Sequence, residues 1–221
     1  MFVRFYFTLF LFITFFSQAV PFWWEYFKKP EEVGALFECS ESVGSELMHF
    51  IETHKEPRNI LELGAGRGAI TKVITQHLRP EDHLDVVEIN PHYCIDLLEK
   101  FSSKNFTNMQ IHCIDALSFK TDKPYDFIIC TIPLTTMDNG LLSLLFNKFK
   151  KLSHSGTYFA YVQYGFLFKA RRFLAHGVKK ELLTQREALI EKFKEQHIVR
   201  TKFITQNIPP IYVHHLKFSY T

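Results

Sequence analysis

The chain has few of the features that would tie it to cross-linking or to bulk electrostatic binding. Its four cysteines (Cys39, Cys94, Cys113 and Cys130) show no paired spacing. That suggests neither a disulfide framework nor a zinc site, and a reduced, cytosolic setting is the default reading. Cys113 and Cys130 lie in apolar runs that read as strands, where a thiol acts as a small hydrophobe. The net charge is only +3, too mild to draw nucleic acid by composition, so any basic surface has to be local. No internal repeat or low-complexity linker is visible. With 221 residues, 47% of them hydrophobic and 22% charged, the chain suits one α/β domain with a short extension and a large core, not two domains or a disordered tail.

What is present in excess is phenylalanine. Nine of the 24 fall in the first 27 residues, and no charge occurs from Phe5 to Val20. Three readings of this segment compete. Arg4, the apolar run and Ser17-Gln18-Ala19 have the parts of a secretory signal. A transmembrane helix would need the run to continue through Trp24. A membrane-seated anchor would place Trp23, Trp24 and Tyr26 at headgroup depth with Lys28 and Lys29 toward phosphates. A Phe-rich helix folded back on the body is the plain alternative.

The body alternates between two periods. Glu31 to Thr53 has helical spacing interrupted near Cys39-Ser40. Short strands are expected at Ile60–Leu63, His83–Ile89, Met109–Ile114, Tyr125–Cys130 and Gly156–Gln163, with helices at Ala69–Leu78, Pro91–Phe101 and Leu141–Lys151 between them. One long basic helix is expected from about Phe166 to Gln196, then two final strands, Val199–Thr205 and Tyr212–Phe218. Strands separated by helical stretches predict a mostly parallel sheet with helices on both faces, ending in an antiparallel hairpin.

The strongest motif is Leu61-Glu62-Leu63-Gly64-Ala65-Gly66-Arg67-Gly68-Ala69. A strand enters a tight turn, Gly64 and Gly66 let the backbone approach a ligand, and Gly68 opens the next helix. The spacing is G-x-G-x-G and not that of a dinucleotide loop, and Glu62 places an acid where a cationic amino-acid ligand would lie. Glu88 ends the second strand 20 residues after Gly68, a position from which an acid accepts ribose hydroxyls. Asp115 follows the third strand, where it can reach an adenine amino group or cap a turn.

Together these three features resemble the class I S-adenosylmethionine-dependent methyltransferases over roughly Asn59 to Phe218. The resemblance implies a Rossmann-like, doubly wound, seven-stranded sheet and S-adenosylmethionine as cofactor, held by Glu62, Gly64, Ala65, Gly66, Gly68, Glu88, Asp115 and Thr131, with no metal. It divides the chain into a hydrophobic, membrane-associated segment (1–27), a helical lead-in (28–56) and the methyltransferase domain (57–221). Thr131-Ile132-Pro133-Leu134 then occupies the place where such enzymes meet the methyl acceptor. Adenine methyltransferases follow that proline with an aromatic that stacks on the base, and Leu134 offers no such plate.

A narrower likeness is to bacterial phosphatidylethanolamine N-methyltransferases. It rests on Phe27-Lys28-Lys29-Pro30-Glu31-Glu32-Val33-Gly34-Ala35, on Ile132-Pro133-Leu134, on Gln163-Tyr164-Gly165 and on Asn207-Ile208-Pro209-Pro210; Thr131 and His214-His215 depart from that pattern. It implies methyl transfer to a lipid amine. Pro133 and Leu134 would line the acceptor, and Tyr164 would orient the amine or take its proton. Lys169, Arg171 and Arg172 would meet the headgroup phosphate at an anionic membrane surface. Because this cofactor is made and kept in the cytosol, the cytoplasmic face of the membrane is the expected location. No DNA partner is implied. A ribosomal RNA or small-molecule amine methyltransferase, and a non-catalytic membrane scaffold, are the alternatives.

Overall fold

A computed structural model describes residues 40–101, 106–207 and 209–220. The expectations for residues 1–27, and for the lead-in before Ser40, lie outside the described residues. The domain opens with a short helix, α1 (Glu41–Leu47), and then alternates as the sequence periods require. The order is β1 (Asn59–Leu63), α2 (Ala69–Gln76), β2 (His83–Glu88), α3 (Pro91–Lys100), β3 (Met109–Cys113), β4 (Tyr125–Cys130), α4 (Asn139–Leu152) and β5 (Ser153–Gln163). Two helices, α5 (Gly165–Leu174) and α6 (Gly177–Glu195), precede the closing strands β6 (Ile198–Ile204) and β7 (Ile211–Lys217).

All seven strands form one sheet in the order β3-β2-β1-β4-β5-β7-β6. The first five run parallel, and β7 lies antiparallel between β5 and β6. Because both faces are covered, the inner strands alternate between two cores. Ile60, Val86, Phe127, Ile129 and Val162 pack toward α1, α2 and α3. Leu61, Leu63, Val87, Ile128 and Phe159 pack toward α4 and α6. On that second face Phe146 of α4 stacks on Phe193 of α6 with ring centroids 4.1 Å apart. Burying each such side chain stabilises the fold by roughly 1.5–3 kcal/mol.

Two expectations are corrected. The long basic helix is two helices: Ala175 and His176 are extended and Gly177 takes φ +55°, a conformation that continues no helix and suits glycine. Cys113 is exposed at the end of the edge strand β3 and is no core hydrophobe, whereas Cys130 is fully buried. Edge strands cover one flank only, so the apolar run around Cys113 does not guarantee burial.

Candidate functional site

The strand order reverses between β1 and β4, and open parallel sheets place ligands outside the carboxyl ends of the strands at such a point. The glycine loop lies there. Gly64 N–H donates to Val87 O at 2.9 Å and Thr131 N–H to Leu63 O at 3.0 Å, so β1, β2 and β4 hold the loop from both sides. The Thr131 hydroxyl adds a 2.6 Å bond to Gly64 O.

The three glycines do different work. Gly64 (φ +81°) lies against Ile132, where a Cβ would come within 2.8 Å of that side chain. Gly68 (φ +88°) lies against α3, where a Cβ would meet Phe101 at 2.6 Å and Leu97 at 2.9 Å. Gly66 (φ +58°) faces open space. Packing therefore dictates Gly64 and Gly68, while Gly66 borders the region a ligand would fill. Ala65 is buried behind it.

Two acids serve this loop. Glu88 accepts from Gly66 N–H at 2.7 Å through one oxygen and from Asn90 N–H at 2.8 Å through the other. Each carboxylate oxygen has a second lone pair, so Glu88 can brace the loop and still accept a hydroxyl. Glu62 is fully buried and accepts from the Thr71 hydroxyl at 2.6 Å, while its other oxygen has no partner. Burial pushes its carboxyl up to about 8, with the nearby Glu88 charge adding to the rise against the bond from Thr71. Glu62 thus joins β1 to α2 beneath the loop, with burial favouring its protonated form.

Asp115 is exposed and accepts from Leu117 N–H at 3.0 Å, so it caps a turn at the same edge. Beside it are two side chains that sequence reasoning missed. Ile89 is 67% exposed and Ile114 38% exposed, one residue beyond the paired strand ends Glu88 and Cys113. Their signal is an isoleucine directly after the last paired residue of each strand, which the strand pattern absorbs.

On the acceptor side the expected residues separate. Pro133 is half-buried, but Leu134 is 2% exposed and packs into the core with Leu61, Leu63 and Leu142. It supports the loop from below and presents no wall to an acceptor. Tyr164 follows β5 as the N-cap residue of α5, half-buried against the first core. Lys169 is exposed, and Arg172 pairs with Glu187 at 2.9 Å, leaving it less available to an external anion. Arg171 has Nε and Nη1 shielded from solvent without a hydrogen-bond partner.

Asn207, Pro209 and Pro210 lie between β6 and β7 at this edge, since β7 begins opposite the end of β5 (Gln163 with Tyr212). Asn207 is buried, accepts from Ser40 N–H at 3.0 Å and donates to Pro209 O at 2.9 Å. It ties the start of α1 to the acceptor edge. His214 and His215 are buried in mid-sheet, paired with Tyr161 and Ala160. Burial is the main cause that lowers each of them to about 4.

Residues 42–164 match the family model described as the methyltransferase small domain. The chain belongs to that family. A curated relative, the ornithine lipid N-methyltransferase of Singulisphaera acidiphila, is 32% identical over 106 residues, covering 46% of this methyltransferase and 55% of the relative. The match thus spans about half the length of that relative. Among solved structures, the N-methyltransferase NodS from Bradyrhizobium japonicum WM9 superposes with a TM-score of 0.60 at 14% identity, over 81% of this chain and 96% of that one. A Burkholderia thailandensis 1,6-didemethyltoxoflavin-N1-methyltransferase gives 0.56 at 12% identity, over 81% and 77%. These two likenesses establish the fold.

The cofactor this family implies, S-adenosylmethionine, fits the residues present. The open side of Gly66 leaves room against the loop, Glu88 has lone pairs to spare for a ribose, and Ile89 and Ile114 offer exposed apolar surface beside Asp115 for a flat base. Among the described residues no three metal-ligating side chains converge.

Proposed function

We propose that this methyltransferase transfers the methyl group of S-adenosylmethionine to the amine nitrogen of a membrane lipid headgroup, phosphatidylethanolamine or its methylated intermediates first and an ornithine lipid second. The observation that carries the reading is Arg171. Its two shielded guanidinium nitrogens lack an acceptor, on a helix that leaves the acceptor edge directly after Tyr164. Shielded polar nitrogens without a partner are costly, and a headgroup phosphate close to the reacting amine would satisfy them. The likeness to a lipid N-methyltransferase supports the same class of acceptor.

S-adenosylmethionine supplies an electrophilic methyl; the chain has to supply a neutral, aligned amine. A free alkyl ammonium has a pKa near that of lysine, about 10.4, so its proton must leave before attack. In this reading Tyr164, at the junction of β5 and α5, orients the amine and passes that proton toward water. Holding the nitrogen in line contributes several kcal/mol, within the roughly 7–11 kcal/mol that positioning can supply. The reading includes attachment at the cytoplasmic face of the membrane, where this cofactor is available. Among the described residues no helix is long and apolar enough to cross a membrane.

The test is a radiolabelled methyl transfer assay with three acceptors: phosphatidylethanolamine vesicles, ornithine lipid vesicles and naked ribosomal RNA. Label extracted with an amine lipid is the expected outcome. Label confined to RNA would end the lipid reading.

A further inference from the structure

Beyond the cofactor site, the carboxyl edge carries an exposed apolar corner where α5 meets α6. Phe173 is 82% exposed and Val178 73% exposed, with Leu174 and Leu182 exposed beside them. Side chains of this kind rarely stand together in water without a partner. The corner's place is fixed by bonds to the start of α4 and to the acceptor loop: Asn139 Nδ2 donates to Leu182 O at 3.2 Å, and Arg186 Nη1 donates to Thr135 O at 3.1 Å. The first half of α6 is therefore pinned next to the loop that follows Pro133. Ser40, held by Asn207, enters the domain at the same edge.

Charge indicates what covers the corner. From Gly165 to Lys180 there are five cations (Lys169, Arg171, Arg172, Lys179 and Lys180) and no acid. Lys169, Lys179 and Lys180 are exposed. A second copy of the chain docking through this patch would set the same cations against one another. An anionic bilayer would accept the apolar side chains among its acyl chains and the lysines among its phosphates.

We infer that the α5–α6 corner is a docking surface for an anionic lipid bilayer, and that it holds the carboxyl edge, with its acceptor opening, against the headgroups. The inference rests on the lipid reading for its purpose, and its test is independent of that reading. Trp23 and Trp24 are the only tryptophans, so the full chain carrying W23F, W24F and F173W reports on the corner alone. The probe is vesicles of phosphatidylglycerol and phosphatidylcholine that contain no amine lipid.

A blue shift of the single indole's emission, with quenching by bromolipids, is expected on the anionic vesicles. Emission unchanged on those vesicles overturns the docking surface, and so does a shift that grows with protein concentration in their absence, the mark of self-association. Unchanged S-adenosylmethionine binding by calorimetry verifies that the variant is folded. As a second variant, K179E/K180E is expected to lower methylation of amine lipid in anionic vesicles about ten-fold or more, with the rate on detergent-dispersed lipid within about two-fold. Equal losses in both presentations overturn the inference. A wild-type chain that docks but methylates no lipid removes the proposed substrate and leaves the docking surface standing.

Discussion

On the cofactor side of the sheet, β1 to β3, the strand-borne acids Glu88 and Asp85 and the adjoining Asp82 are buried and bonded, whereas on the acceptor side the cations stand open. Glu88 takes two backbone amides, and Asp85 takes His83, His112 and the Tyr125 hydroxyl. Asp82 accepts from Arg58 and Arg79, and these bonds hold its carboxyl well below the usual range despite burial. Across the switch point, Lys169, Lys179 and Lys180 are exposed and Arg171 has two nitrogens without an acceptor. A small ligand of one shape suits a rigid, satisfied frame. The acceptor side has polar capacity left over, which suits a group presented by another surface.

The contrast can be broken from either side. The largest effect is expected from Asp82→Ala, which strands the buried Arg58 guanidinium and should lower unfolding free energy by about 3–5 kcal/mol. Denaturant titration checks it, and a loss below about 1 kcal/mol would mean that the pair is not part of a rigid frame. Next, Gly68→Ala should destabilise the fold by about 1–3 kcal/mol, from positive φ and the clash with Phe101. Gly66→Ala should cost about 1–2 kcal/mol in stability yet weaken S-adenosylmethionine binding more than the other change does relative to its cost. Equal ratios in calorimetry and melting would remove the distinction between the two glycines.

Glu88→Gln removes one charged acceptor. Its expected effect is a rise in cofactor Kd of roughly ten- to a hundred-fold, the equivalent of about 1.5–3 kcal/mol for a charged hydrogen bond. Arg172→Gln, by contrast, breaks a partly exposed pair with Glu187 and should change stability by no more than about 1 kcal/mol.

The two sides also oppose each other in pH. Glu62, raised from 4.5 to about 8 in the folded chain, holds its proton more tightly there than when unfolded. Its contribution is complete below 4.5 and is lost as pH rises toward 8. His214 and His215 are lowered from 6.5 to about 4, so their contribution is complete above 6.5 and is lost as pH falls toward 4. Glu62→Gln should flatten the decline of thermal stability between pH 4.5 and about 8 and leave the acid decline from the histidines intact. A variant in which both limbs move together would show that the two sides unfold as one titrating unit.

Much of this frame was legible beforehand. The expected bounds of β4 are those found, and those of β1, β2, β3 and α3 are off by one residue, because apolar runs of strand length and Pro91 at a helix start are local signals. The glycine loop and Glu88 were legible because their spacing is short. What stayed hidden was set through space. Nothing near Asp82 announces Arg58, 24 residues away, and nothing in Leu134 tells a core position from an acceptor wall. The break at Gly177 was masked by basic and apolar residues that keep a helical rhythm on both sides of it. Asn207 could be singled out as part of a motif, but its bond to Ser40 spans 167 residues.

That bond gives the domain a direction. Ser40 lies at the carboxyl edge, while Tyr220 reaches Ser153 at the opposite end of β5. Ser40 therefore lies on the candidate binding face and Tyr220 on the opposite one. A reporter or surface tether joined beside Tyr220 would leave the binding face outermost, whereas the same group joined just before Ser40 would stand in the way of whatever approaches it.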